Sequence, residues 1–437
     1  MFCRPLFSAM RRRRAGETAR RLVFLLAAVG SGIPLAHSGP LTLDDALRLA
    51  EERSRQLPAQ DAAAAASREM AVAAGQRPDP ILKAGINNLP IDGPDRFSLT
   101  RDFMTQRSVS VMQEITRGSK LEARSARFER EAEVAAAARQ LVLANLQRDT
   151  AIAWLDRAYQ GRMRDVLISQ RDEARLQIEA ADAAYRGGRG AQADVFAART
   201  AVAQIEDRVA QTERQVATAT IQLARWIGPA AAGTQGTPPA IDAVSLRAED
   251  LETQLAHHPQ IEVMLKQEAR AQAEADVARS DKQADVSVEL MYSQRGPAYS
   301  NMVSLNLSIP LQWDQKNRQD RELAAKLSTV EQMRAEREEA TRAHVAEALS
   351  MLQEWRSDLD RLTRYDASLL PQAGDRTRAS LAAYRGGGVL AAVLEARRAE
   401  IDTRIDRLRL EAETARLWAQ LTYLVPAGHL VPTAAPR

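Results

Sequence analysis

A chain of 437 residues could fill two or three ordinary domains, yet Phe, Tyr and Trp make up only 4% of it while Ala, Arg, Glu and Gln abound. That excludes a large aromatic core and favours extended helices packed through small side chains. The formal charge of +3 comes from the N-terminus: residues 1–38 carry seven Arg and one Glu, so without them the charge is −3 and nucleic-acid binding loses its compositional support.

Residues 1–38 read as a signal peptide. Arg11–Arg14, Arg20 and Arg21 precede the apolar run Leu22–Val29, and Ala36-His37-Ser38 before Gly39 suits signal-peptidase cleavage. Translation could equally start at Met10. A membrane anchor is the alternative, but Gly32 and Pro34 stop the run well short of the roughly 20 apolar residues a spanning helix needs. Cys3 lies in this segment, so neither a disulfide nor a lipid anchor is expected.

The remainder reads as one unit written twice. The hexapeptide AAYRGG occurs at Ala183–Gly188 and again at Ala382–Gly387, 199 residues on. Upstream, Val109–Ile115 lines up with Leu305–Leu311 and Lys120 with Lys316 at an offset of 196; downstream, Val195–Arg199 matches Val393–Arg397 at 198. The first repeat, 39–228, is expected to hold a helix, strands over about 81–89 and 107–115, a long helix over about 119–185, a tip turn and a helix over 191–228. A connection, 229–259, leads to the second repeat, 260–425. Its elements are a helix, strands over about 284–292 and 301–311, a long helix over about 318–384, a tip turn and a helix over 389–425, before a tail, 426–437.

The strands are read from alternation. Val286, Val288, Leu290 and Tyr292 oppose Ser287 and Glu289, and Val303, Leu305, Leu307 and Ile309 oppose Ser304, Asn306 and Ser308. In the first repeat Leu82, Ala84 and Ile86 oppose Lys83, Gly85 and Asn87, and Val109 and Val111 oppose Ser108 and Ser110. A soluble hairpin would bury the oily side. With no other sheet to join, and with Tyr292 and Trp313 near the ends, these segments fit a transmembrane β-barrel, and four strands need strands of other subunits to close one.

From Ser119 to Tyr185 there is no Pro and one Gly, Gly161, so the helix would reach about 100 Å. Its apolar residues spread more broadly than a coiled-coil seam, which suits a helix with neighbours on two sides. Pro371 and Gly374 predict a kink or distortion in the matching tract. The two glycine-rich tips, Gly187–Gly188 and Gly386–Gly388, supply the backbone freedom that a sharp reversal needs.

No catalytic constellation emerges, so no enzyme and no cofactor are expected. His257-His258 before Pro259 reads as a helix cap rather than a metal site, and Arg334–Arg342, with its interspersed Glu, reads as a solvated face.

The duplication, the strand pair running into Leu307-Ser-Ile-Pro310 and Lys316, and Tyr-Arg-Gly-Gly followed by Ala193–Phe196 or Ala391–Leu394 together resemble the TolC-like outer-membrane efflux family over nearly the whole mature chain. The resemblance implies an α+β membrane protein: a homotrimer with a twelve-stranded barrel in the outer membrane of a Gram-negative bacterium, continued by a periplasmic α-helical barrel. Gly228–Pro259 and the tail after Val425 would form its equatorial region. It implies docking of the tips onto a periplasmic adaptor, itself coupled to an inner-membrane efflux pump. The contact candidates are Tyr185, Arg186, Gly187, Gly188 and Gly190 in the first tip, and Gly386, Gly387 and Gly388, with Tyr384, in the second.

Acidic residues narrow the periplasmic end in that family. The two usual positions fall here on Ala392 and Glu395, with Asp194 at the corresponding place after the first tip and Tyr384 and Arg385 as constraints on opening. Three copies of Glu395 around an axis would repel one another and attract cations. The loop Asn88–Arg107 resembles the family's heavy-metal-efflux branch, and Met104 and Met112 are the soft-metal candidates; packing is the plainer role for both. Export of drugs or other small molecules, and a non-channel periplasmic coiled-coil scaffold, are the competing readings.

Overall fold

The computed structural model describes residues 39–249, 251–255 and 258–425. The expected signal peptide, the tail 426–437 and His257 lie outside them. In chain order the helices and strands are α1 (Leu43–Arg53), α2 (Gln56–Ala74), β1 (Ile81–Asn87), β2 (Gln106–Ile115), α3 (Gly118–Arg186), α4 (Gln192–Ile227), α5 (Leu251–Leu255), α6 (Pro259–Ser280), β3 (Val286–Gln294), β4 (Met302–Ser308), α7 (Gln319–Arg364), α8 (Leu370–Arg385) and α9 (Leu390–Thr422).

The four strands form one antiparallel sheet in the order β1-β2-β3-β4, so β2 and β3 join the two halves of the chain. Register keeps the two faces distinct. Leu82 pairs with Val111, Val111 with Leu290 and Leu290 with Leu305, giving one apolar row across all four strands. The adjacent row on the other face runs Lys83, Ser110, Met291, Ser304. There Ser110 Oγ donates to Glu289 Oε1 at 2.6 Å, and Lys83 Nζ lies 3.4 Å from the same oxygen. Strand β4 ends at Ser308, short of the expected 311, just before Pro310, which has no N–H for a ladder.

Helix α3 has 69 residues and would span about 100 Å. It packs against α2, α4, α6 and α9, and much of what it buries is small: Ala132, Ala135, Ala137, Ala144, Ala151 and Gly161. Small residues let helices approach closely without a wide apolar stripe. The matching tract is not broken at Pro371. The helix instead widens into a π turn over Tyr365–Leu369, where the Leu370 N–H bonds back to the Tyr365 carbonyl. A proline ring clashes with the carbonyl four residues earlier, here Ala367, and the wider turn makes room for it.

The two largest fully buried side chains lie near the middle of α3. Trp154 and Tyr159 are fully buried with Leu43, Ala46 and Leu47 of α1, Leu223 and Ile227 of α4 and Ile401 of α9. Three indoles strap irregular chain to this core: Trp154 Nε1 donates to the Leu41 carbonyl at 3.2 Å, Trp355 to Ile241 at 3.0 Å and Trp418 to Ala243 at 3.0 Å. His258 caps α6, its Nδ1 accepting from the Gln260 N–H at 3.2 Å. Burial, then His344 and Arg148, push its pKa down to about 4, so the ring is neutral at ordinary pH.

Where strands meet helices, Lys120 is buried and its ammonium lies 2.7 Å from both Asp281 and Asp285. It thus ties the start of α3 to the segment entering β3. Burial pulls the ammonium down, but hydrogen bonds to the two carboxylates outweigh that and hold its pKa above the ordinary value. Burial pushes Asp285 up, and the Lys120 hydrogen bond and charge reverse the sign, holding it below its ordinary value. A depressed aspartate stabilises the fold above its unfolded pKa and loses that contribution as pH falls through the folded one. Thermal stability in detergent should therefore fall below about pH 4. Lys120→Met should cost about 2 kcal/mol at neutral pH, less than a fully buried pair because Asp281 keeps 34% of its side chain in solvent. Much of the acid sensitivity should vanish with it, as read from melting temperature against pH.

Candidate functional site

Two regions carry features that the fold itself does not require. The first is the sheet. In its main apolar row Leu82 is 71% exposed, Val111 47%, Leu290 56% and Leu305 72%. Val109, Tyr292, Val303 and Leu307, on the same face, are exposed as well. Each such side chain left in water forgoes roughly 1.5–3 kcal/mol. No described helix covers this face, and β1 and β4 leave backbone groups free at both edges. The sheet can face an apolar medium on one side and water on the other, and can accept further strands at both edges.

The second region is the pair of tips. The shared hexapeptide closes both long helices in the same way. The Arg189 N–H bonds to the Ala184 carbonyl at 2.9 Å with Gly188 at φ +68°, and the Gly388 N–H to the Ala383 carbonyl at 2.9 Å with Gly387 at φ +101°. This is the glycine-terminated Schellman closure, and only glycine takes such φ values without strain. A Cβ on Gly388 would also sit 2.9 Å from the Ala383 carbonyl oxygen.

The structure brings the two tips together. Ala181, Val195 and Ala198 of the first form one buried cluster with Leu390 and Val393 of the second, and half-buried Tyr384 packs on it. Tyr185, Arg186, Gly187 and Gly188, with Arg385, Gly386, Gly387 and Gly388, stay exposed beside it, whereas Gly190 is half-buried against Ala184. The expected constriction acids differ in setting. Asp194 Oδ2 accepts from the Ala191 N–H at 3.1 Å and caps α4. Glu395, 74% exposed, pairs with Arg376 of α8 at 3.0 Å, a surface ion pair of small energetic weight.

Sequence reasoning missed Arg407 and Asp366. Arg407 of α9 donates from Nε and Nη2 to the two carboxylate oxygens of Asp366, both at 3.0 Å, and so grips the π turn. Pro371 hinted at a distortion, but nothing in the sequence marks a partner 41 residues away. The metal candidates remain separate. Met104 is exposed in the β1–β2 loop, and Met112 lies on the polar face with Lys83 Nζ 3.4 Å from its sulfur. Among the described residues no group of three or more His, Cys, Asp or Glu is placed to hold a metal ion.

Comparison with solved structures bears on this arrangement. The outer-membrane channel OprN matches with a TM-score of 0.72 at 16% identity over 88% of this chain and 90% of its own. CusC, whose structures concern folding and transmembrane channel formation, gives 0.72 at 15% over 88% and 92%. The outer membrane protein VceC of Vibrio cholerae gives 0.70 at 15% over 87% and 95%. The chain has the fold of these outer-membrane channels. No protein-family model and no curated protein sequence matches it. At this identity only the backbone plan is shared. The roles of the exposed sheet face and of the tips rest on their own geometry.

Forcing a β-branched residue to positive φ costs of the order of 1–3 kcal/mol. Gly188→Val and Gly387→Val should each loosen one tip by that amount. Amide exchange should accelerate around the altered turn and stay unchanged at Trp154.

Proposed function

We propose that this protein is the outer-membrane channel of a tripartite efflux system, a passive duct that carries substrate from an inner-membrane pump and periplasmic adaptor to the cell exterior. The observation that carries the reading is the apolar row Leu82, Val111, Leu290, Leu305, exposed across a sheet open at both edges. Lipid accepts such a face, but it does not accept unpaired strand edges. Three copies of a four-stranded sheet close a ring of twelve strands with an oily outside and the Lys83, Ser110 and Glu289 side facing a wet lumen. The long helices then extend the duct through the periplasm, and the joined tips offer the surface an adaptor would grip. A periplasmic scaffold built from the same chain would leave that oily face in water.

Metal cations are the first substrate class to test, on the resemblance of the Asn88–Arg107 loop, and drugs or other small molecules the second. A lysine ammonium beside Met112 disfavours that methionine as a soft-metal ligand, so selection would lie with the pump.

The expressed protein should fractionate with the outer membrane, need detergent, and have the mass of three chains. In planar bilayers it should conduct ions. Glu395→Ala should raise conductance and weaken block by divalent cations, while Arg376→Ala, which frees Glu395, should strengthen that block. A water-soluble monomer would overturn the reading. A deletion strain grown on metal salts and on a drug panel would separate the two substrate classes.

A further inference from the structure

The way the two halves of the sheet are joined is a template for how one copy joins the next. This step rests on the trimer reading and specifies its interface. The offset of 196 that carries Lys120 onto Lys316 also carries Met112 onto Ser308. Ile81 pairs with Met112 and Ser287 with Ser308, so Ile81 is carried onto Ser287, an offset of 206. Asp79 then falls on Asp285. The correspondence comes from hairpin register, and it matches two aspartates that immediately precede a first strand.

Within the chain, β2 meets β3, and Lys120, in the first turn of α3 after β2, binds Asp285 just before β3. Strand β4 and Lys316 have no such neighbour among the described residues, nor have β1 and Asp79. Lys316 and Asp79 are both exposed. We propose that β4 of one copy pairs with β1 of a second copy of this chain in a fixed register, locked by an ion pair between Lys316 and Asp79.

The register follows from the template. Val109 opposite Tyr292 becomes Leu305 opposite Ile86, Val111 opposite Leu290 becomes Leu307 opposite Ala84, and Gln113 opposite Val288 becomes Ile309 opposite Leu82. Every one of these pairs is apolar. On the other face Ser304 meets Asn87, Asn306 meets Gly85 and Ser308 meets Lys83. A slip of one residue would turn Lys83 and Asn306 into the oily face, so parity selects this pairing over its nearest competitors.

Two further features agree. Arg117, which donates to the Ser280 carbonyl at 3.2 Å, corresponds to Trp313, 88% exposed in the single chain. Its counterpart surface on the neighbour is Ala74 and Arg77, apolar and cationic, which suits an indole. And α3 is flanked by both α2 and α6, whereas α7 has α6 alone on its corresponding flanks, leaving a place for the neighbour's α2. Val72 of α2, 62% exposed, corresponds to Ala278 of α6, which is buried. The copied site is simpler than its template, because Asp281 corresponds to Gly75 and leaves one acid for Lys316.

The test uses the full-length protein in detergent, in a Cys3→Ser background. Leu307→Cys is combined in turn with Leu82→Cys, Ala84→Cys and Ile86→Cys, and each is oxidised and run in denaturing gels. Crosslinked trimer should peak with Ala84→Cys; a trimer whose crosslinking peaks elsewhere overturns the register. Lys316→Asp and Asp79→Lys should each raise trimer dissociation at least about tenfold, and the double exchange should recover most of it. A trimer with no such recovery overturns the ion pair. A chain that stays monomeric in light scattering, with no crosslink, overturns the trimer reading itself, so the two failures are told apart.

Discussion

A strand edge in lipid has no water to satisfy it, and this constraint organises the molecule. The sheet supplies four strands, two edges and one uncovered oily face. A soluble protein would cover such an edge with a helix, a charge or a bulge. Here the strands, seven to ten residues long, have no such cover and are tied to the helices through Lys120, Asp281 and Asp285 at one end. That ion cluster matters because the sheet has no buried hydrophobic layer of its own. Its position relative to the helices depends on charge contacts at the junction and on the chain entering and leaving each strand. On the proposed channel reading the closing strands come from further copies of the chain, and the helices follow them around a ring.

The helical part meets that requirement through small residues and a compact aromatic belt. Alanines along α3 let neighbours approach on several sides, so each helix can belong to two contacts at once. Ion pairs such as Arg416 with Asp156 at 2.6 Å and Arg208 with Asp402 at 2.7 Å, all partly buried, join α9 to α3 and α4 and help to fix their orientation. Stability is concentrated at Trp154, Tyr159 and their neighbours, where truncating the indole would cost about 3–5 kcal/mol. The three indole donors fix the irregular connection to that belt.

Much of this was legible in the sequence because the signals were local or repeated. Alternation locates Val286–Tyr292 and Val303–Ile309, and the sheet keeps their apolar residues on one face as far as Leu307, Ile309 lying past the end of β4. The hexapeptide foretold two like turns, and both close with the same hydrogen bond. What escaped was long-range. The repeat marks Lys120 only as the counterpart of Lys316, and its burial between two aspartates 161 and 165 residues away has no local mark. The family resemblance singles out Asp194 and Glu395 as constriction acids, and in the structure the first caps a helix and the second has an arginine beside it. Pro371 predicted a distortion of about the right location, while its form, a π turn held by Arg407, depends on packing against α9.

The two halves of the chain share a plan but not a stiffness. Helix α3 runs unbroken and buries 22 residues, from Lys120 to Ala181. The matching tract buries only Ala348, Leu352, Trp355, Asp358 and Leu362 before the π turn, and Thr377 after it. Where α7 awaits a neighbouring copy its burial does not measure stiffness, but the widened turn itself lowers the free energy for local distortion. The segment from Tyr365 to Arg385 is thus the more easily bent of the two arms, and it carries Arg376, whose partner Glu395 stands just beyond the second tip. Because Arg407 grips Asp366 with two hydrogen bonds, bending there must either carry α9 along or break that contact. The Arg407–Asp366 contact therefore couples the π turn to α9, the helix that leaves the second tip.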